Sequence, residues 1–425
     1  MKNEILKQLK KLPIIDSHEH LPHEKDHRSA RLDVIDLMTP YVCDNLMSCG
    51  LSEGDWRAAR DKSIPFEQRF AILEAPLKTI RHTTYFKSML KGAELCFGMR
   101  EFSLSECERV NHMLDRGIDT ESIFDTFNIK KAMTFVSYHS LDYFSDSKLI
   151  VPVPTVSLMT PKIPSDIKEL SAHSGIDVQN TDSLQAAIRK MFEQYQTCGL
   201  RNIKIGASYN RVPDYAPTDH TAAEAELSAV LSGNVSFDRL YGQNNLNLPL
   251  NHLKALDDLV INTCVDLARD MNMNTIIHTG IHAWNKNDVK ACHTEPLCEM
   301  IASHPDQRFI LLHLGYPYMD EAILLCKYFP NVYLDLAWLH TLDRQAAVNA
   351  IKRIIELLPA NKIVGFGGDV CLPVNTVGNL DFALHNLAEA FSDLMRAGEI
   401  TATDAEDLGY AWLYENPAQI YRLDI

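Results

Sequence analysis

Near the start of the chain the segment "IIDSHEHLPHE" places Asp16, His18 and His20 at alternate positions behind two isoleucines. In a strand, residues two apart point to the same side. The spacing therefore predicts Asp16, His18 and His20 on one face, with Ser17 and Glu19 on the other. Two imidazoles on one strand face can converge on a single cation, with Zn–N bonds of roughly 2.0–2.1 Å. The motif alone is a weak signal: with 17 histidines in 425 residues, chance gives on the order of one His-x-His.

Residues of the same chemical kind close other apolar runs. His278 ends "IIHTG", His313 ends "ILLHLG" and Asp369 ends "GFGGDV", while Lys204 lies inside "NIKIG" and Asp335 inside "YLDLAW". Singly, each has an ordinary explanation. A strand-end histidine satisfies buried backbone, Asp369 after two glycines opens a turn, and Lys204 snorkels to a rim. Taken together, four histidines and a carboxylate at the ends of several strands suit zinc or a similar divalent ion.

Those ends share a mouth only if the strands are parallel and neighbouring. Eight short apolar runs recur: "LPIIDSHEH", "KKAMTFVSYHS", "LIVPVPTVSL", "LRNIKIGAS", "MNTIIHTGIH", "RFILLHLGYP", "NVYLDLAWLH" and "KIVGFGGDV". Most are separated by stretches with helical periodicity, such as "NHLKALDDLVINTCVDLARDMN". Strands alternating with helices imply βαβ units, and eight near-continuous apolar runs predict a (β/α)8 TIM barrel. An open doubly wound sheet is the runner-up. Active sites in such barrels sit at the C-terminal ends of the strands. The chain reads as one domain over 1–425, with a distorting helical insertion over 23–130 that reads as a lid. A loop, "SGNVSFDRLYGQNNLNLPL", separates the fourth and fifth runs.

Composition narrows the function. Lysine and arginine total 41 against 56 acids, a net charge of −15, which disfavours nucleic acid as a partner. A local basic pocket for an anionic small molecule remains compatible with that charge. The ten cysteines include no CxxC pair, and no run approaches the roughly 20 apolar residues of a membrane span. The expectation is a reducing cytoplasm, free thiols, no membrane and a homo-oligomeric assembly.

These residues carry a family resemblance. The Asp-x-His-x-His of the first run, with His278, His313 and Asp369, resembles the pattern of the amidohydrolase superfamily, from Ile14 to "ENPAQIY" at Glu415. In detail the chain resembles the branch holding metal-dependent hydrolases, aminocarboxymuconate-type decarboxylases and uronate isomerases. The resemblance implies a distorted TIM barrel with one or two divalent metals. His18, His20, His278 and Asp369 match the ligands of a mononuclear site, most simply one zinc, with manganese or a second metal open. His313 matches a histidine that binds a second metal or assists catalysis. Lys204 is near the position of a carboxylated, metal-bridging lysine, although "NIKIGASYNR" differs from that setting; an unmodified ammonium would instead hold a substrate carboxylate.

In the mechanism this implies, Asp369 contacts the metal and takes a proton from its water, and His313 polarises the reacting carbonyl. Tyr209 and Arg211 follow the fourth run, and Arg211 suits a carboxylate clamp. His282, Trp284 and Trp338 follow the fifth and seventh runs and would wall the pocket, with core packing the other reading of Trp338. The expected activity is hydrolysis of a C–N or C–O bond in a small, carboxylated molecule. A decarboxylase, hydratase or uronate isomerase-like enzyme on the same site is the alternative, and a non-catalytic metal-binding protein a third reading.

Overall fold

The computed structural model describes residues 1–22, 31–140, 147–209, 211–234, 253–285 and 287–425. The eight apolar runs form β1 (Ile14–Glu19), β2 (Ile129–Ser137), β3 (Ile150–Thr155), β4 (Asn202–Ile205), β5 (Asn274–Ile277), β6 (Phe309–Leu311), β7 (Val332–Asp335) and β8 (Ile363–Val364). Each pairs in parallel with the next, in chain order. The seam closes where β1 meets the chain that follows β8. Ser17 N donates to Phe366 O at 3.2 Å, Asp369 N to His18 O at 2.6 Å and His20 N to Val370 O at 2.9 Å. The fold is a (β/α)8 TIM barrel rather than an open sheet.

Continuous apolar runs form these strands because both faces are covered. Met133, Phe135, Val153, Ile276, Ile310, Leu312 and Val364 pack inside the barrel with Ile420 and Tyr421, which close its floor. Asn202 and Asn274 fasten that floor, donating from Nδ2 to the carbonyls of Tyr421 and Ile420, both at 2.9 Å.

β1 departs from simple alternation. Asp16 pairs with Ala132 and Glu19 with Thr134, so three steps of β1 run against two of β2. Such a bulge re-aims the side chains around it. The alternation reading is therefore corrected: Glu19 does not face away from Asp16, for a Cβ on Gly368 would meet both carboxyls.

Between β1 and β2 the described chain forms the helices Tyr41–Ser48, Glu53–Arg60, Phe66–Ile80, Thr84–Phe97, Leu104–Leu114 and Thr120–Thr126. They share a core of their own, including Leu46, Phe70, Leu73, Phe86, Met89 and Val110, which reaches Leu372 and Val374. The helix Thr84–Phe97 docks on the helix Pro373–Ala397 by backbone contact. A Cβ on Gly92 would stand 2.1 Å from Val374 O, and one on Gly378 would stand 2.2 Å from Ser88 O. Asn375 adds a bond from Nδ2 to Leu37 O at 2.7 Å. The helix that begins just after Asp369 thus carries the helical segment over the barrel mouth. Residues 23–30, where the expected insertion begins, and 235–252, which hold most of the expected loop between β4 and β5, lie outside the described residues. Among the described residues no helix is long and apolar enough to cross a membrane.

Candidate active site

Asp369 joins the two histidines of β1. Its Oδ1 lies 3.3 Å from His18 Nε2 and 3.2 Å from His20 Nε2. An ion with tetrahedral bonds of 2.0–2.1 Å holds its ligand atoms about 3.4 Å apart, so these spacings and this N/O donor set fit a zinc-like cation. His18 is buried and His20 half exposed. Burial holds the His18 imidazolium well below its usual pKa, against the pull of Asp369, which leaves a lone pair for a metal. Burial also works to raise the Asp369 carboxyl, but the facing His18 and His20 more than offset it and hold the group well below the carboxylate range.

The backbone around Asp369 is gripped from β1. Asp369 itself takes a left-handed conformation, with φ 56°. On one side Gly368 N donates to Asp16 Oδ1 at 3.1 Å, and on the other Val370 N donates to Glu19 Oε2 at 2.8 Å. Thr376 Oγ1 donates to Glu19 Oε1 at 2.7 Å. Asp16 and Glu19 are fully buried. Burial pushes Asp16 up to about 7, and burial together with Asp16 pushes Glu19 well above the ordinary carboxyl range. A shared proton is what two abutting buried carboxyls require.

His278 stands apart from the three-ligand group. Among the described residues, that group comprises His18, His20 and Asp369, with ligand atoms all within 4.8 Å of one another. His278 Nδ1 instead faces His313 Nε2 at 3.2 Å, and His313 Nε2 is 3.7 Å from Asp369 Oδ2. Each ring spends its other nitrogen on a carbonyl: His313 Nδ1 on Ala337 O and His278 Nε2 on Ile281 O, both at 3.0 Å. A carbonyl accepts only, so both of those nitrogens carry their protons. In the neutral rings the two facing nitrogens then present lone pairs to each other. Burial holds His313 down at about 4 and His278 well below its usual range. Both facing nitrogens are thus acceptors, able to take a proton or ligate a metal ion.

Lys204 is buried beneath this group. Its Nζ lies 4.5 Å from the centroid of Phe135, whose ring stands 4.1 Å from that of His18. Burial pushes its ammonium down to about 7 against the pull of Asp369 and Asp335. Tyr209 and His282 pack on His278, with ring centroids 4.7 and 5.1 Å away. Trp338 meets His313 edge to face at 5.4 Å. Arg211 does not join them. Its guanidinium is buried and spent on Asp258 at 2.7 Å and Asp214 at 3.1 Å, so its donors are engaged away from the mouth. The reading of Arg211 as a substrate clamp is corrected on that ground.

The sequence reading missed Phe135, and it missed Tyr41 and Tyr85 from the helical segment. Tyr41 stacks on Trp338 at 4.5 Å and on Tyr85 at 5.1 Å. Asp44 of the same helix accepts from Trp284 N at 3.0 Å, tying the segment to the loop after β5. Trp284, His313, Trp338 and Asp369 all have positive φ, from 56° to 73°. Strained backbone of this kind gathers at sites that a fold over-determines, and here it follows four adjacent strands.

Comparison with known proteins agrees with this fold. The chain is similar in fold to uronate isomerase from Thermotoga maritima, with TM-score 0.79 and 15% identity over 99% of this chain and 97% of that one. It is likewise similar to glucuronate isomerase from Caulobacter crescentus, with TM-score 0.77 and 18% identity over 100% and 94%. A curated relative, Protein fluG of Emericella nidulans, is 25% identical over 271 residues, which is 62% of this chain but 30% of that protein's length. The family model for Amidohydrolase matches residues 205–423, more than half of the chain, and takes in His278, His313 and Asp369. The chain belongs to the amidohydrolase family, on a TIM-barrel scaffold.

Proposed function

We propose that the protein is a hydrolase that cleaves a C–N or C–O bond, amide or lactone-like, in a small carboxylated molecule. The observation that carries this reading is the position of the Asp369 carboxyl: Oδ1 turns to both histidines of β1 and Oδ2 to His313. In this reading His18, His20 and Asp369 hold one zinc. A bound divalent ion supplies a water of lowered pKa and polarises a carbonyl. Asp369 Oδ2, the oxygen not facing the β1 histidines, takes a proton and later returns it to the leaving group. His313 Nε2, which presents a lone pair 3.7 Å from Asp369 Oδ2, accepts a proton from the site and passes it back. Lys204 attracts the substrate carboxylate. Tyr209, His282 and Trp338 wall the pocket and exclude water.

Uronate isomerisation is the second reading. It is favoured by the phenol-bearing rings of Tyr41 and Tyr85 beside Trp338, which suit a polyhydroxylated acid. The two structural relatives are named for substrates of that kind. The same Asp369–His313–His278 series would then pass a proton between adjacent carbons.

The deciding experiment screens the metal-loaded protein against N-acyl amino acids, lactones, uronates and unsaturated carboxylates. Hydrolysis of the first two classes, lost on chelation, is the expected result. Turnover of uronates alone would replace hydrolysis with isomerisation. Decarboxylation or hydration among the last class would overturn both readings.

A further inference from the structure

A second group of metal-ligating side chains lies outside the cluster around Asp369. His139 follows β2 by two residues, and Glu169 and His173 sit one turn apart on the helix Pro164–Ser174. Residues four apart share a helix face, so both can be reached from one point. His139 Nε2 is 3.3 Å from Glu169 Oε1. The rings of His139 and His173 stack at 4.2 Å with 5° between their planes. One ligand atom from each of the three residues lies within 4.8 Å of the other two.

The surroundings hold this arrangement together. The Tyr138 ring stands edge-on to both imidazoles, at 4.9 and 6.4 Å. The Tyr138 carbonyl accepts from the buried Tyr195 hydroxyl at 2.8 Å, which fixes the turn that carries His139. His139 is partly buried, whereas Glu169 and His173 are exposed. Burial and the neighbouring His173 hold His139 below its usual pKa, against Glu169.

We propose that His139, Glu169 and His173 form a second, independent site for a divalent cation of the zinc type. Two imidazoles and a carboxylate are a zinc ligand set, with water completing the shell. The site joins the turn after β2 to the helix Pro164–Ser174. The rings are nearly parallel, so the exposed His173 must turn about its Cβ–Cγ bond, a soft torsion, to aim at the shared point. The ligand atoms, now within 4.8 Å of one another, must close to the roughly 3.4 Å separation of a tetrahedral ion.

The test titrates Zn²⁺ alone into the metal-loaded protein and follows bound equivalents and the melting temperature. The wild-type chain is expected to bind one equivalent more than the His139→Ala/His173→Ala protein. Added zinc should raise the melting temperature of the wild type only. Glu169→Gln, an exposed change that spares the fold, should weaken the zinc response without removing a histidine. The His18→Ala/His20→Ala protein should keep this equivalent, which separates the site from the ion at Asp369. Equal zinc binding and an equal thermal shift in wild type and the His139→Ala/His173→Ala protein would overturn the proposal.

Discussion

Asp369 meets His18 twice: its backbone N donates to His18 O at 2.6 Å, and its Oδ1 lies 3.3 Å from His18 Nε2. The bonds that close the barrel therefore also set the spacing of the proposed ligands. Neither half of the site can move without opening the seam between β1 and the chain after β8.

Asp369→Asn separates metal contact from proton transfer. The amide oxygen can still approach an ion, but the group cannot take a proton at neutral pH. Metal is expected to be retained at least in part, with kcat falling by on the order of 10²–10⁴. Near-wild-type kcat in the metal-loaded variant, measured on a substrate from the screen, would remove Asp369 as the base.

Glu19 is a positioning residue. It grips Val370 N beside Asp369, and burial together with Asp16 pushes its carboxyl well above the ordinary range. Glu19→Gln keeps the acceptor oxygen and should preserve folding and metal content. Glu19→Ala leaves Val370 N without its partner, a cost of roughly 1–3 kcal/mol for a buried group, and should also lower metal content. Thermal melts and metal analysis of the two variants check this. Equal melting temperature and metal content in Glu19→Ala would show that the grip positions nothing.

Much of this was legible in the sequence, and the reasons for the rest are physical. The eight strands stood out because a strand covered on both faces reads as an unbroken apolar run. His18, His20 and Asp369 stood out because strand-end polar residues share one mouth in a parallel barrel. The orientation of His278 was not legible, because it is fixed by the backbone carbonyl of Ile281 and by His313, neither of which has a sequence signature. Glu19 was misread because alternation assumes a regular strand and β1 carries a bulge. Arg211 was misread because its acidic partner Asp258 comes from a distant helix. Tyr41 and Tyr85 were missed because nothing in the pattern says which side chains of a helical segment meet the barrel.

Gly92→Ala tests how the helical segment is seated. The new Cβ would fall 2.1 Å from Val374 O, which is backbone and cannot turn aside. Overpacking of this kind costs roughly 1–3 kcal/mol. A lower melting temperature is expected, with a raised KM if the segment shapes the pocket through Tyr41. An unchanged melting temperature would contradict the close helix crossing.

Lys204 predicts a pH dependence. Its pKa falls from 10.5 to about 7 in the fold, chiefly through burial. Between those values the unfolded chain binds more protons than the native state, so stability rises with pH. The buried charge costs stability below about pH 7, and that cost is relieved toward 10.5. Lys204→Met should flatten this rise in denaturant titrations from pH 7 to 10. An identical slope in both proteins would mean that Lys204 is not buried as a free amine.

The most direct measurement of the central claim is metal content per chain, with anomalous diffraction to locate the ion, in wild type and in the His18→Ala/His20→Ala protein. The account predicts one tightly held divalent ion between His18, His20 and Asp369, lost in the double variant. A second ion bound between His278 and His313 would make that pair a metal site of its own. Full occupancy beside Asp369 in the His18→Ala/His20→Ala protein would contradict the account.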